Sequence, residues 1–233
     1  METSPIIVAL DFDDAQRALA LVNQFSPERC RLKVGKQMFT LFGPDFVKTL
    51  VNKGYDVFLD LKFHDIPNTV AKAVEAAVSL GVWMVNVHAS GGAQMIEAAK
   101  NASLSKNSEV LLTAVTILTS MDEQQVEPVY GNVSIPDKVK ALSMLARNAG
   151  ADGVVCSAQE AIMLRDIIDQ DFKLVTPGIR PAGSKADDQS RIMTPQQAIS
   201  SGVNYLVIGR PITNAADPAR ALDETYQSLL GHT

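Results

Sequence analysis

The sequence is poor in cysteine, has no cluster of basic residues and contains no long apolar run, and each shortage excludes a class of protein. Cys30 and Cys156 are the only cysteines, and both lie in apolar segments, which argues against a disulfide framework and for a reducing compartment. The 21 Lys and Arg residues are spread along a chain with a formal net charge of −5, unlike proteins that wrap a nucleic-acid backbone. No apolar run reaches the roughly 18 residues of a membrane span, and the N-terminus lacks the charged region of a signal peptide. We therefore expect a cytoplasmic protein that binds neither nucleic acid nor membranes.

The residues that are present suffice for one large core. Hydrophobic residues make up 46% and charged residues 20% of the 233 positions, so the chain can fold without disulfides or metal staples. A length of this order is usual for an α/β barrel, which runs roughly 200–250 residues as one unit. We predict a single domain over residues 1–233.

Short apolar runs rich in β-branched residues alternate with longer segments of helical periodicity, the pattern of consecutive βα units. The predicted strands are Ile6–Phe12, Arg31–Gly35, Val57–Phe63, Met84–Ala89, Val110–Leu118, Gly153–Ser157, Leu174–Gly178 and Tyr205–Gly209. Eight such units, without a GxGxxG motif after the first strand, favour a closed (β/α)8 TIM barrel over an open doubly wound sheet, which is the alternative.

The helical segments carry start and stop signals. The predicted helices are Asp13–Gln24, Pro44–Lys53, Asn68–Leu80, Gly92–Ala102, Asp137–Ala149, Gln159–Asp169, Thr194–Ser200 and Pro218–Leu230. Proline suits the first turn at positions 44, 195 and 218, and glycine suits the residue after the last turn at positions 54, 81, 150 and 202.

Charged residues concentrate where the predicted strands end, and α/β barrels place their active sites at the carboxyl ends of the strands. The residues concerned are Asp11, Lys33, Asp60, Lys62, Asp65 and Arg210. Asp60 and Lys62 are two residues apart on one strand, so their side chains should share a face, opposite Leu59, Leu61 and Phe63. Charges buried there need partners, which predicts an alternating network of Asp11, Lys33, Asp60, Lys62 and Asp65. A purely stabilising network is the alternative.

The segment DLKFHDIPNTV, from Asp60 to Val70, resembles the signature of the orotidine 5′-phosphate decarboxylase family. Similar segments follow the family's order along the whole chain: ALDF, RLKVGKQMF, VNVHASGG, TILTSM, VTPGIRP and VIGRPI. The resemblance implies decarboxylation of orotidine 5′-monophosphate to uridine 5′-monophosphate in pyrimidine biosynthesis, without metal or organic cofactor, by a homodimer.

The resemblance also implies a role for each matching residue. Lys62 corresponds to the proton donor, with Asp60 and Asp65 as its catalytic neighbours, and Asp65 and Thr69 come from the second subunit. Asp11 and Lys33 correspond to ribose contacts, and Thr119 or its neighbour Ser120 to a pyrimidine contact. Arg180, Gln189, Gly209 and Arg210 correspond to phosphate and pyrimidine contacts.

Two further features bear on the site. The segment Arg180–Gln189 follows the seventh strand and is rich in Pro, Gly and charge, a composition typical of a mobile loop, and we expect it to be a lid. His64 and His88 lie near strand ends without the spacing of a metal site, and we expect hydrogen-bonded structural histidines.

Three other functions compete with the decarboxylase hypothesis. A related phosphosugar decarboxylase or lyase has a similar strand but typically needs Mg²⁺. A Schiff-base aldolase would need a neutral Lys62, whereas the flanking carboxylates favour the ammonium form. A non-catalytic barrel that binds a nucleotide or a partner is the third.

Overall fold

The computed structural model describes residues 4–107, 109–181 and 193–230. Within these residues, eight parallel strands follow one another around a closed barrel in chain order, and the last strand pairs with the first. The strands are β1 (Ile6–Leu10), β2 (Arg31–Gly35), β3 (Val57–Phe63), β4 (Met84–His88), β5 (Leu111–Val115), β6 (Gly153–Val155), β7 (Lys173–Thr176) and β8 (Tyr205–Ile208). The predicted barrel is therefore confirmed, and the open sheet is excluded.

Helices cover the outside of the barrel between successive strands. They are α1 (Ala15–Val22), α2 (Lys36–Asn52), α3 (Pro67–Val78), α4 (Ala93–Lys106), α5 (Glu123–Tyr130), α6 (Ile135–Asn148), α7 (Ala161–Arg165), α8 (Pro195–Ser200), α9 (Arg210–Thr213) and α10 (Pro218–Gln227). The glycines predicted to follow helices, at positions 54, 81, 150 and 202, all have positive φ. Among the described residues, no helix has both the length and the apolar composition of a membrane span.

Helix α2 differs from its prediction in an instructive way. It begins at Lys36 rather than at Pro44, but Gly43 interrupts it with φ of 65° and ψ of −165°. Pro44 is thus the first residue of a second helical segment, as the first-turn preference of proline predicts. Helices α5 and α9 were not predicted at all.

The side chains of the strands form two apolar layers. The outer layer, between strands and helices, holds most of the core. The inner layer fills the barrel and consists of Ile7, Ala9, Phe58, Met84, Val175 and Val207, with Trp83, Leu111, Val155 and Tyr205 packed against it. On β3, Asp60 lies two residues beyond Phe58 and continues the inner face, and on β2, Lys33 lies in register with Ala9 and Phe58 of that face. The fold therefore places charged side chains against the apolar residues that fill the barrel.

Both cysteines belong to the outer layer. Cys30 and Cys156 are free and fully buried, as the sequence predicts. Burial raises the pKa of the Cys30 thiol to about 12, and burial also raises the pKa of Cys156. Both residues are therefore chemically inert small side chains.

Candidate active site

An irregularity in β3 shapes the centre of the site. Leu59 pairs with Val85 and Phe63 pairs with Val87, so three residues of β3 lie opposite a single residue of β4. Within this bulge Lys62 has φ of 54°, and no other non-glycine residue in the described part of the chain has positive φ. Bulges and left-handed residues of this kind redirect side chains and concentrate at functional sites.

Four of the charged residues that the sequence singled out form a network at the carboxyl ends of β1, β2 and β3. Lys33 Nζ lies 3.3 Å from Asp60 Oδ2 and 3.8 Å from Asp11 Oδ1. Lys62 Nζ lies 2.5 Å from Asp60 Oδ1. Burial of Asp60 opposes ionisation, but the two ammonium groups and the hydrogen bonds that it accepts outweigh burial and hold its pKa below the usual range. Asp60 is therefore an anion that holds two cations in place.

Two adjoining cavities open above this network and share Lys33, Asp60, Pro177 and Val207. The inner cavity, of about 220 Å³, is lined by Lys33, Phe58, Asp60, Lys62, Val115, Ile117, Leu118, Thr119, Ser120, Val155, Pro177 and Val207. The rim cavity, of about 270 Å³, is lined by Ala9, Asp11, Lys33, Asp60, Pro177, Gly178, Arg180, Val207, Gly209 and Arg210. The inner cavity is mainly apolar with Lys62 in its wall, whereas the rim cavity contains two arginines.

The rim cavity lies at the ends of β7 and β8, where barrels of this class often bind phosphate. Arg180 is buried; its Nη1 donates to the carbonyl of Ile179 at 3.1 Å, and its backbone N–H donates to the carbonyl of Met193 at 3.0 Å. Arg210 is exposed and begins α9, directly after Gly209. The two guanidinium groups can thus offer planar donors to an anion. Gln189, together with most of the predicted lid, lies outside the described residues.

Comparisons with known proteins show the family of this chain. Residues 4–225 match the model of the Orotidine 5′-phosphate decarboxylase / HUMPS family. The chain belongs to this family. It is 61% identical over 229 residues to an orotidine 5′-phosphate decarboxylase of Pectobacterium carotovorum subsp. carotovorum (strain PC1), which covers 98% of this chain and 93% of that protein. A relative of the same name from Shewanella sediminis (strain HAW-EB3) is 57% identical and covers 98% of each chain.

A solved structure is also similar over the whole barrel. The crystal structure of orotidine 5′-phosphate decarboxylase from Lactobacillus acidophilus superposes with a TM-score of 0.85 at 38% identity and covers 96% of this chain and 98% of that chain. The predicted family membership is therefore confirmed.

The structure does not bring every predicted site residue into the network. Asp65 is exposed, its Oδ1 accepts the backbone N–H of Ile66 at 2.7 Å, and it forms no ion pair with any other described residue. Thr69 is exposed on the first turn of α3. The expectation that Asp65 pairs within its own chain is thus not met, because the chain turns outward after Phe63. Thr119 and Ser120 both line the inner cavity.

One residue in contact with the network was missed by the sequence analysis. Asn86 on β4 is fully buried; its Nδ2 donates to Asp60 Oδ1 at 2.8 Å, and its Oδ1 accepts the backbone N–H of Lys62 at 2.7 Å. The available signal was a single amide within the otherwise apolar strand segment MVNV. A buried polar side chain of this kind requires partners.

The two histidines near the strand ends lie against each other. The ring centroids of His64 and His88 are 5.5 Å apart, but neither ring has a hydrogen bond to another described residue, so the expected hydrogen-bonded role is not seen. Burial lowers the pKa of His88 to about 4, with further lowering by His64, Lys36 and Lys62. His88 is therefore neutral near pH 7. The described residues contain no group of three His, Cys, Asp or Glu arranged for a metal ion.

Proposed function

We propose that the protein decarboxylates orotidine 5′-phosphate to uridine 5′-phosphate and CO2 in pyrimidine biosynthesis, on one catalytic domain of residues 1–233. The observation that carries the proposal is an ammonium group, Lys62, held by a buried carboxylate in the wall of an apolar cavity beside a cavity with two arginines. Membership of the family, with relatives of that name at 57–61% identity, supports the same reaction.

The two cavities suit the two ends of a nucleotide. The phosphate would lie in the rim cavity against Arg180, Gly209 and Arg210. The pyrimidine would enter the inner cavity, beside Thr119 and Ser120. The ribose hydroxyls would then lie between the two cavities, where Lys33 Nζ, in the wall of both, stands 3.8 Å from Asp11 Oδ1 in the wall of the rim cavity. Both side chains can exchange hydrogen bonds with the hydroxyls.

Lys62 supplies the chemistry that this reaction needs. Breaking the bond between C6 and the carboxylate releases CO2 and leaves the electron pair on C6, in a vinylic orbital that no neighbouring π-system delocalises. An ammonium group near C6 attracts this charge as it develops, more strongly in an apolar cavity than in water. A proton from Lys62 then completes the C6–H bond, and the lysine recovers a proton from solvent.

The phosphate lies away from the bond that breaks, yet its binding can contribute to catalysis. Contacts with the arginines can be used to order the ring in the inner cavity and to exclude water from it. In this proposal Arg180 and Gln189 close over the bound nucleotide. A carboxylate near the substrate carboxylate, in the position proposed for Asp65, would in addition disfavour the bound ground state.

The reaction is proposed to need neither metal nor organic cofactor, and one assay separates it from its competitors. Purified protein is mixed with orotidine 5′-phosphate and EDTA, and loss of pyrimidine absorbance is followed. Turnover in EDTA supports the proposal and excludes both the Mg²⁺-dependent lyase and a non-catalytic barrel. Absence of turnover in EDTA contradicts the proposal, whether or not added Mg²⁺ restores activity. Borohydride trapping with a keto substrate tests the aldolase, which the Asp60 carboxylate beside Lys62 disfavours.

The protein is also proposed to act as a homodimer in which Asp65 and Thr69 complete the site of the second subunit. In the single chain both residues are exposed, and the neighbouring Ile66 leaves 65% of its surface exposed. The exposure of these three side chains leaves them available to contact a second subunit. The free, buried cysteines are those of a protein from a reducing compartment, which supports the cytoplasm as its location.

Mixing two inactive proteins tests the shared site. Lys62→Ala and Asp65→Asn are each inactive as homodimers under this proposal. After random subunit exchange half of the dimers are mixed, and each mixed dimer has one intact and one doubly altered site, so about a quarter of the wild-type activity should return. If each site uses one chain only, every site keeps a lesion. Demonstrated exchange without recovered activity would therefore refute shared sites.

A further inference from the structure

We infer that Asn86 is a positioning residue for the reaction, which fixes the Lys62 ammonium in the wall of the inner cavity by bonding to both ends of the bulged segment of β3. The inference rests on the proposed decarboxylation, since it concerns the placement of the proposed proton donor. Asn86 itself does not line either cavity, so it acts through Lys62 and Asp60.

The side chain of Asn86 bonds to the backbone of the bulge. Between the pairs Leu59–Val85 and Phe63–Val87, Asn86 alone stands opposite three residues of β3, so the regular ladder cannot pair every backbone group there. The side-chain Oδ1 of Asn86 accepts the Lys62 backbone N–H at 2.7 Å. The amide thus takes the place of a strand partner at the residue with φ of 54°. A left-handed lysine is disfavoured, because its Cβ lies too close to the following carbonyl oxygen, and it persists only where its surroundings hold it.

The other end of the same amide bonds to the Asp60 carboxylate. Asn86 Nδ2 donates to Asp60 Oδ1 at 2.8 Å, and this is the oxygen that also accepts from Lys62 Nζ at 2.5 Å. A closed ring of contacts therefore runs from the Lys62 backbone through Asn86 and Asp60 to the Lys62 ammonium. The amide orients the carboxylate and the lysine backbone together, which leaves the side chain little freedom.

A purely structural role is the competing explanation, because any buried amide without partners destabilises a fold. The neighbouring strand provides a matched control. Thr113 pairs with Asn86 in the register of β4 and β5, is equally buried and donates to the Val85 carbonyl at 3.4 Å. Its side chain makes no hydrogen bond with Lys62 or Asp60, so Thr113→Val removes a buried polar group from the same layer without altering the ring of contacts.

The experiment compares Asn86→Ala, Asn86→Asp and Thr113→Val with the wild-type protein. For Asn86→Ala we expect kcat to fall about 10²-fold, the loss typical of a small displacement of a catalytic group. KM for orotidine 5′-phosphate and Kd for uridine 5′-phosphate should stay within about threefold, because the binding residues are untouched. Thr113→Val should keep kcat within about twofold. A crystal structure of Asn86→Ala should show Lys62 outside the left-handed region.

Asn86→Asp is the safeguard against a variant that fails to fold. It preserves the shape and the acceptor for the Lys62 N–H but replaces the donor that faces Asp60 with an oxygen. Its kcat should also be low, and the deficit should shrink as the pH falls, because a proton shared between the two carboxyl groups restores the lost donor.

The outcomes separate this inference from the proposed reaction. A wild-type protein that does not turn over orotidine 5′-phosphate refutes the reaction. Wild-type turnover with an Asn86→Ala kcat within threefold of normal refutes only the positioning role. So does a loss of kcat in Asn86→Ala with Lys62 unmoved, a parallel loss of nucleotide affinity, or an Asn86→Asp protein of full activity.

Discussion

Two cations on one strand, Arg31 and Lys33 of β2, are buried at opposite ends of the barrel interior, and their surroundings differ in kind. At the amino end, the Arg31 guanidinium lies 4.4 Å from the Trp83 ring centroid and 5.2 Å from that of Tyr205. It also bonds Asp56 at 3.2 Å and donates to the carbonyl of Ser4. At the carboxyl end, Lys33 has two carboxylates for neighbours and forms part of the wall of both cavities.

The comparison shows how charge can serve stability at one end of a barrel and chemistry at the other. Arg31 is enclosed by aromatic faces and acceptors of its own chain, an arrangement that gains packing and cation–π energy. The residues around Lys33 instead line the inner cavity and the rim cavity. Changes at the carboxyl end should therefore alter turnover with little effect on folding, and changes at the amino end should do the reverse.

The largest effect is expected at Lys62. Lys62→Ala should lower kcat about 10³- to 10⁴-fold, since both charge stabilisation and the proton are lost. The protein should remain folded and bind uridine 5′-phosphate, because the lost group acts on charge that exists only during the reaction. Steady-state kinetics and calorimetric binding measure both quantities. Lys72→Ala, which removes an exposed lysine of α3, is the control and should behave as wild type; substantial kcat in Lys62→Ala would remove Lys62 from the role of acid.

A smaller effect, confined to one substrate, is expected at Arg210. Arg210→Ala should lower kcat/KM for orotidine 5′-phosphate about 10²-fold, the contribution of charge-assisted bonds to phosphate, but should change it little for orotidine. The matched control is Arg220→Ala on α10, where the arginine is exposed and pairs with Glu224. Equal losses for the two substrates would assign Arg210 a structural role.

At the amino end of the barrel, a substitution should change stability rather than turnover. Arg31→Ala should lower the free energy of unfolding by about 2 kcal/mol through lost cation–π contact and packing. Its kcat/KM should stay within about twofold of wild type, because the network around Lys33 is intact. Urea unfolding and steady-state kinetics on the same preparation test both statements. A protein of normal stability, or one with strongly reduced turnover, would break the division between the two ends.

The sequence predicts the barrel well because the two patterns that indicate strands and helix ends lie within short stretches of the chain. Apolar runs of strand length and glycines after helices are visible in the chain. Strands β1 and β3, which flank the strand of Lys33, begin and end within a few residues of the prediction. Helix α5 was missed because Pro128 lies within it, although proline usually ends a helix. Helix α9 is a single turn of four residues, too short for any periodicity to show.

The site is only partly predictable, since its geometry depends on a departure from strand periodicity. Alternation correctly places Asp60 and Lys62 on one face, but it does not predict the bulge, the left-handed Lys62 or the contact with Asn86. These depend on pairing between β3 and β4, which are separated in sequence by a helix. Proximity in sequence also suggested that Asp65 joins Lys62, whereas the chain leaves the strand before reaching it.

The smallest predicted effect is a loss of stability at acid pH, which should arise from His88 at the carboxyl end of the barrel. His88, the last residue of β4, has its pKa lowered from 6.5 to about 4 by burial and by the positive groups near it. Between these values the unfolded chain binds a proton that the folded chain does not, so stability should fall as the pH decreases from 6.5 towards 4. After allowance for partial exposure the His88 contribution is about 1 kcal/mol. In urea unfolding between pH 7 and pH 4.5, His88→Gln should therefore lose less stability than wild type. Arg31→Ala should keep the wild-type slope, because arginine is charged throughout this range. Identical slopes for His88→Gln and wild type would show that the folded protein protonates His88 as readily as the unfolded chain does.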